Sequence, residues 1–296
     1  MPSTCWSPVR WRCTSAILVA CLALPPLHGW GADAALRADV IYGQAGGVDL
    51  KLDLSVPPSG PGPFPVLLFI HGGGWSAGSK RQYDQAVLAS ARQGYVAATV
   101  EYRFAPQFPF PAQIEDVKCA VRYLRAHATE LLADSGHVGA IGDSAGGHLA
   151  LLLGFMAAKD GLEGSGGWPD QSSRVQAVVN YYGPSDLRSV STSNPDVVRL
   201  VGGLLGTTDL QSPMAALASP MVYLDAHAAP VLSLHGTKDN LVPLSQSEQL
   251  HQALKRNGVE EHLEIFAEAG HGFGGQDAER ALALARDFLD RHLKPR

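Results

Sequence analysis

From residue 48 onward, short apolar runs alternate with longer stretches in which apolar side chains recur at helical spacing. Val48-Asp49-Leu50-Lys51-Leu52-Asp53-Leu54 switches strictly between apolar and charged residues, the period of a strand with one wet face. Val66-Leu67-Leu68-Phe69-Ile70 is unbroken apolar sequence after Pro65, which predicts a strand covered on both faces. A helix is predicted around Gln82 to Gln93, then a strand over Tyr95 to Val100. Ile114, Val117, Val121 and Leu124 mark a helix across Pro111 to Ala126. The next strand, His137 to Ile141, gives way to the apolar helical run His148 to Leu153. Val175 to Val179, Pro230 to Leu234 and His262 to Phe266 complete the strands, and helices follow at Ser245 to Arg256 and Gln276 to His292.

Strand and helix alternating in this way imply one α/β domain with a mostly parallel sheet and helices on both faces. No internal repeat or interdomain linker interrupts it. Two stretches break the rhythm: Gly-rich Asp160 to Ser173, and Asp186 to Ala229 with Pro195, Pro213 and Pro220. Insertions of this kind are expected over the C-terminal edge of a parallel sheet, where ligands bind.

The first 34 residues have another character. Arg10 and Arg12 precede the apolar Ala16 to Leu24, Pro25-Pro26 ends that run, and Ala32-Asp33-Ala34 is an A-x-A site. This is the pattern of a secretory signal peptide. It predicts a cleaved leader over 1–34, a catalytic domain over 35–296 and an exported protein, periplasmic or extracellular. The run is shorter than the roughly 20 residues a membrane-spanning helix needs. A second processing route stays open, because Leu18-Val19-Ala20-Cys21 resembles a bacterial lipobox that would anchor Cys21 to lipid.

Of the 4 cysteines, Cys5, Cys13 and Cys21 fall in the leader. Cys119 is left without an internal disulfide partner and sits in an apolar stripe, so it reads as a small buried side chain. The chain carries 23 Lys and Arg against 28 Asp and Glu, a formal net charge of −5, with the basic residues scattered. A nucleic-acid partner is therefore not expected. The histidines are dispersed and no H-E-x-x-H occurs, so a zinc site is not expected; no other metal and no organic cofactor is expected either.

Gly142-Asp143-Ser144-Ala145-Gly146 stands between the predicted strand and helix. It matches G-x-S-x-G, in which a sharp turn exposes the serine hydroxyl and leaves no space for a Cβ at either glycine. A serine needs a base, and the base an orienting acid. In this arrangement they follow in the order Ser, acid, His. His271, between Gly270 and Gly272 after the last predicted strand, is the candidate base. His148, one turn beyond Ser144, is expected to point into helix packing, and His235 to brace the loop before Asp239. Asp239, after the penultimate strand, is the candidate acid, with Asp186 as the alternative one strand earlier. Asp143 is expected to point away from the imidazole and is assigned no chemistry.

His71-Gly72-Gly73-Gly74-Trp75 follows the buried strand ending at Ile70. Its glycines can turn backbone N–H groups toward one point, and the residue after the nucleophile adds another. Gly73, Gly74 and Ala145 are the candidate oxyanion hole, each donor of this kind being worth about 3–4 kcal/mol of barrier. The Lys-Ser/Thr ending of a phosphate-binding P-loop is absent. Trp75 and the 186–229 insertion are the candidate lining of an acyl pocket.

These residues resemble the α/β-hydrolase superfamily from about Val48 to the C-terminus. "HGGGW", "GDSAGGHLA", "YYGPSDL", "ASPMVYL" and "HGTKDNLVP" resemble bacterial bifunctional feruloyl and acetyl xylan esterases. "YRFAPQFPFPAQIEDVKCAVRYLR" is similar to hormone-sensitive-lipase-like esterases, which carry helical cap material ahead of the first strands. Only about a dozen residues separate Ala34 from the first predicted strand, so a shallower, more open site is expected. The resemblance implies hydrolysis of carboxylic esters, acetyl or feruloyl and carbohydrate-linked among them, through an acyl-enzyme. Kynurenine formamidases share the HGG-x-W form, and prolyl-oligopeptidase-like peptidases share fold and triad order. A non-catalytic binding protein on the same scaffold is the remaining alternative. Dienelactone hydrolases commonly use a cysteine where Ser144 stands.

Overall fold

Gly46 and Gly47, at φ +57° and +75°, reverse the chain between Arg37–Ala45 (β1) and Val48–Ser55 (β2). Two consecutive positive φ values suit the tight turn that matches the twist of paired strands. This hairpin opens the computed structural model, which describes residues 33–295. Apart from Asp33 and Ala34, the expected leader and its Cys21 lie outside the described residues. No element is predicted at β1, because RADVIYGQA lacks sustained alternation and only Tyr42 within it is buried. It is recruited by pairing rather than by pattern.

Phe64–Ile70 (β3), Val96–Val100 (β4), Ala133–Asp143 (β5), Ala177–Tyr181 (β6), Val231–Gly236 (β7) and Glu261–Phe266 (β8) complete a sheet ordered β1-β2-β4-β3-β5-β6-β7-β8. The pairs β1–β2 and β2–β4 are antiparallel; all others are parallel. The expected α/β-hydrolase fold, open and mostly parallel, is the fold observed. The strand expected at 175–179 is shifted to Ala177–Tyr181, which carries its end level with Asp143.

Period-two alternation divides the strand side chains between two cores. Val66, Leu68 and Ile70 face one side with Val96, Ala98, Val138 and Ala140, packed by Ala112–Ala126 (α2), which the short Ala128–Leu131 (α3) follows, and by Ala145–Phe155 (α4). Leu67, Phe69, Ala97 and Ile141 face the other, covered by Asp84–Arg92 (α1) and Gly275–Leu293 (α8). Every residue of α4 is buried, as a helix apolar all round apart from His148 requires.

Two expectations are corrected. The polar side of β2 is not wet at its end: Asp53 is buried, and its carboxylate takes Lys80 Nζ at 2.8 Å. The 160–173 stretch does not lie over the C-terminal edge. It joins the far end of α4 to the start of β6 and packs on β1 and α2, with Trp168 Nε1 donating to Tyr42 O and Glu163 pairing with Lys118 and Arg122. The 186–229 stretch follows the C-terminal end of β6 and contains Pro195–Leu205 (α5) and Pro213–Leu217 (α6), while Ser245–Arg256 (α7) follows β7.

Candidate active site

Between β5 and α4 stands the single residue Ser144, at φ 51° and ψ −118°. Such a backbone is sparsely populated for a residue with a Cβ and costs on the order of 1–3 kcal/mol, so the surroundings must hold it. Its N–H donates to Tyr181 O at 2.8 Å, and its C=O accepts from His148 N–H at 3.0 Å. The flanking glycines are required by close approach. A Cβ at Gly142 would meet Gly146 O at 2.2 Å, and one at Gly146 would meet Ile70 O at 2.0 Å.

Asp239 and His271 arrive on loops after β7 and β8, and those loops are stitched together. Thr237 N–H donates to Phe266 O at 3.0 Å and Lys238 N–H to Ala269 O at 2.8 Å. His271 Nδ1 lies 2.7 Å from Asp239 Oδ2, and its Nε2 lies 2.8 Å from Ser144 Oγ. A carboxylate only accepts, so Nδ1 carries a proton, and in the neutral ring Nε2 offers a lone pair to the hydroxyl. The three residues, remote in sequence, form one hydrogen-bonded relay.

Asp239 is held ionised. Burial opposes its charge, but hydrogen bonds from His235, His271 and the Val242 N–H outweigh it and keep the carboxyl well below the usual range. His235 Nε2 lies 3.4 Å from Asp239 Oδ2 while also donating to Val242 O, and its Nδ1 accepts from Ser247 Oγ at 2.7 Å. The expected brace is therefore a fully buried second imidazole beside the acid. Tyr182, at φ 43°, packs its ring against that of His271, with centroids 4.7 Å apart and planes tilted by 58°. The tyrosine pair in "YYGPSDL" carries no signal from which this contact could be read.

Gly73, Gly74 and Trp75 follow one another at φ 112°, 59° and 57°. Ser76 and Ala77 N–H groups both donate to Gly73 O, fixing the turn. Among the described residues, the Gly73 and Gly74 N–H groups donate to no backbone carbonyl. Asp143 points away from the imidazole as expected, yet it is not idle. Its Oδ1 accepts from Gly72 N–H at 2.9 Å and from Tyr83 Oη at 2.7 Å, tying the glycine loop to the residue beside Ser144. Ala145 opens α4 and is buried.

Two candidates are placed elsewhere. Asp186 is not near His271: it caps the turn at Leu187–Ser189, pairs with Arg188 at 2.7 Å and accepts from Ser219 Oγ. Trp75 is only 4% exposed, and its indole N–H is directed into the protein onto His148 Nδ1 at 3.2 Å. It braces the glycine loop rather than presenting an open face. The insertion does approach the site, since Leu200 on α5 occupies the space a Cβ on Gly74 would need. Cys119 is buried, and burial pushes its thiol up to about 11, the behaviour of an inert side chain. Among the described residues no cluster of His, Cys, Asp and Glu could hold a metal ion, and no helix is long and apolar enough to cross a membrane.

A hydroxyl bonded to an imidazole that is itself oriented by a carboxylate can deliver an electron pair to a carbonyl carbon. The sequence comparisons agree with that chemistry. Residues 52–254 match the BD-FAE family, and the chain belongs to it. Esterase LipC of Mycobacterium tuberculosis is 34% identical over 227 residues, covering 74% of this chain and 55% of LipC. The chain spans 55–61% of the length of the mycobacterial esterases LipC, LipM and LipQ. Among solved structures, a truncated carbohydrate esterase from gut microbiota superposes with a TM-score of 0.75 at 25% identity, covering 88% of this chain and 97% of that one. Esterase Est2 of Thermogutta terrifontis, with propionate bound, gives 0.73 at 29% identity, covering 89% and 96%; that enzyme has also been solved phosphorylated by paraoxon.

Proposed function

We propose that this BD-FAE-family chain is an exported serine carboxylic ester hydrolase acting on short-chain or carbohydrate-linked esters, acetyl or feruloyl. Ser144 Oγ attacks the ester carbonyl as its proton passes to His271 Nε2, with Asp239 keeping the imidazole in the competent tautomer. The oxyanion of the tetrahedral intermediate accepts from Gly73, Gly74 and Ala145 N–H groups. Collapse breaks the carbon–oxygen bond to the alcohol, which leaves with the proton from His271. Water, deprotonated by the same nitrogen, attacks the acyl-serine; a second collapse releases the acid and returns the proton to Ser144. No metal or organic cofactor takes part.

The observation that carries this reading is the unbroken relay, 2.8 Å from Ser144 to His271 and 2.7 Å on to Asp239. The neighbour solved with propionate bound and phosphorylated by paraoxon supports small acyl groups and a reactive nucleophile. The carbohydrate esterase neighbour supports a sugar as the alcohol. Export rests on the leader pattern over 1–34.

The test is a fluorophosphonate probe followed by peptide mass mapping, with a p-nitrophenyl ester chain-length series, acetylated xylan and methyl ferulate as substrates. The expected adduct is on Ser144, and Ser144→Ala should lose turnover of p-nitrophenyl acetate by on the order of 10⁶. A variant keeping a tenth of the rate contradicts the proposed nucleophile. Preference for acyl chains of eight or more carbons contradicts the substrate class.

A further inference from the structure

His148 is fully buried, one turn along α4 from Ser144, and both of its ring nitrogens are engaged by parts of the chain far from it in sequence. Nε2 lies 2.7 Å from Ala218 O, at the end of α6. A carbonyl only accepts, so Nε2 carries the proton. Trp75 Nε1 lies 3.2 Å from Nδ1, and an indole only donates, so Nδ1 supplies a lone pair. Each contact independently demands the same neutral tautomer. Burial enforces it by pushing the imidazole down to about 4, and the rings of Trp75 and His148 meet edge to face at 5.2 Å.

The three partners are the parts whose relative placement matters most. Trp75 directly follows Gly74, itself held at φ 59° against Leu200 of α5. Ala218 belongs to the insertion over the sheet edge, and His148 rides on the helix that Ser144 begins. We infer that His148 is a positioning residue, which sets the Gly73 and Gly74 amide donors against Ser144 and ties the 186–229 insertion down beside them. Trp75 is its counterpart on the loop. This inference rests on the esterase reading and adds what fixes the oxyanion site.

A core histidine that only filled space would, when replaced, lower stability and leave discrimination at the carbonyl untouched. The test therefore compares p-nitrophenyl acetate with its thiono analogue, whose sulfur is a weak hydrogen-bond acceptor. Rates are normalised to active sites titrated with an organophosphonate, for wild type, His148→Phe, His148→Asn and Trp75→Phe. Displaced donors should cost the oxygen ester about 10²-fold in kcat/KM, expressed in kcat. The thiono ester should lose far less, so the oxygen-to-sulfur ratio falls by at least about tenfold in His148→Phe and Trp75→Phe. His148→Asn, which keeps an oxygen acceptor near the Nδ1 position, should recover part of the ratio. An unchanged ratio in a folded His148→Phe overturns the inference; where that variant does not fold, an unchanged ratio in Trp75→Phe does so. A wild-type protein that hydrolyses neither ester would instead sink the esterase reading on which the inference stands.

Discussion

At the scale of single residues the relay depends on protonation states that its neighbours enforce. Asp239 is ionised because three hydrogen bonds overcome its burial, and as an acceptor it fixes the proton of His271 on Nδ1. Asp239→Asn would present an amide N–H to that nitrogen and favour the opposite tautomer. The expected outcome is a fall of about 10⁴ in kcat with KM little changed, read by steady-state kinetics on p-nitrophenyl acetate. A fall of less than tenfold would mean that the carboxylate does not orient the base. The residues of the relay were legible in the sequence because each carries a local mark: a glycine-flanked turn, or a loop directly after a predicted strand. The residues supporting them were not. Asp143, Tyr182 and His148 act through contacts with chain that is distant in sequence, and no local pattern encodes such contacts.

Elements, rather than residues, explain why the serine stays in a strained backbone. The carbonyls of Ile70 and His71 at the end of β3 lie where a Cβ on Gly146 would project, so the start of α4 presses on the neighbouring strand. Gly146→Ala must separate them, since a backbone carbonyl at 2.0 Å cannot rotate away. The expected loss is about 1–3 kcal/mol or more in urea denaturation, with activity lost alongside. A variant of wild-type stability would show that the contact relaxes freely. The same scale marks where pattern reading succeeds and stops. Buried parallel strands announce themselves as apolar runs, whereas β1 is a partly polar edge held by its ladder to β2. Composition marks the 160–173 stretch as an insertion without telling which end of a helix it follows. Here it follows the end of α4, opposite the site.

The whole molecule adds a dependence on pH. Folded His148 titrates near 4, against about 6.5 for an unstrained imidazole in the unfolded chain. Between those values the unfolded chain holds a proton that the folded one excludes, so stability rises with pH through the window. The contribution is fully present above about pH 6.5 and is lost as the pH falls toward 4, roughly 3 kcal/mol in all. Buried His71, lowered for the same reason, acts in the same direction. Urea denaturation between about pH 4.5 and 7 should show this slope in the wild type and a shallower one in His148→Phe. Equal slopes would assign the dependence to other groups. Tertiary assembly also underlies the central claim, since the relay joins the ends of β5, β7 and β8 into one unit. The direct measurement is a kinetic cycle of Ser144→Ala, His271→Ala and the double variant on p-nitrophenyl acetate. A residue pair acting as one unit predicts that each single change costs on the order of 10⁶ and that the double variant is scarcely slower than either. Losses that multiply, or a His271→Ala variant keeping a tenth of the wild-type rate, would contradict it.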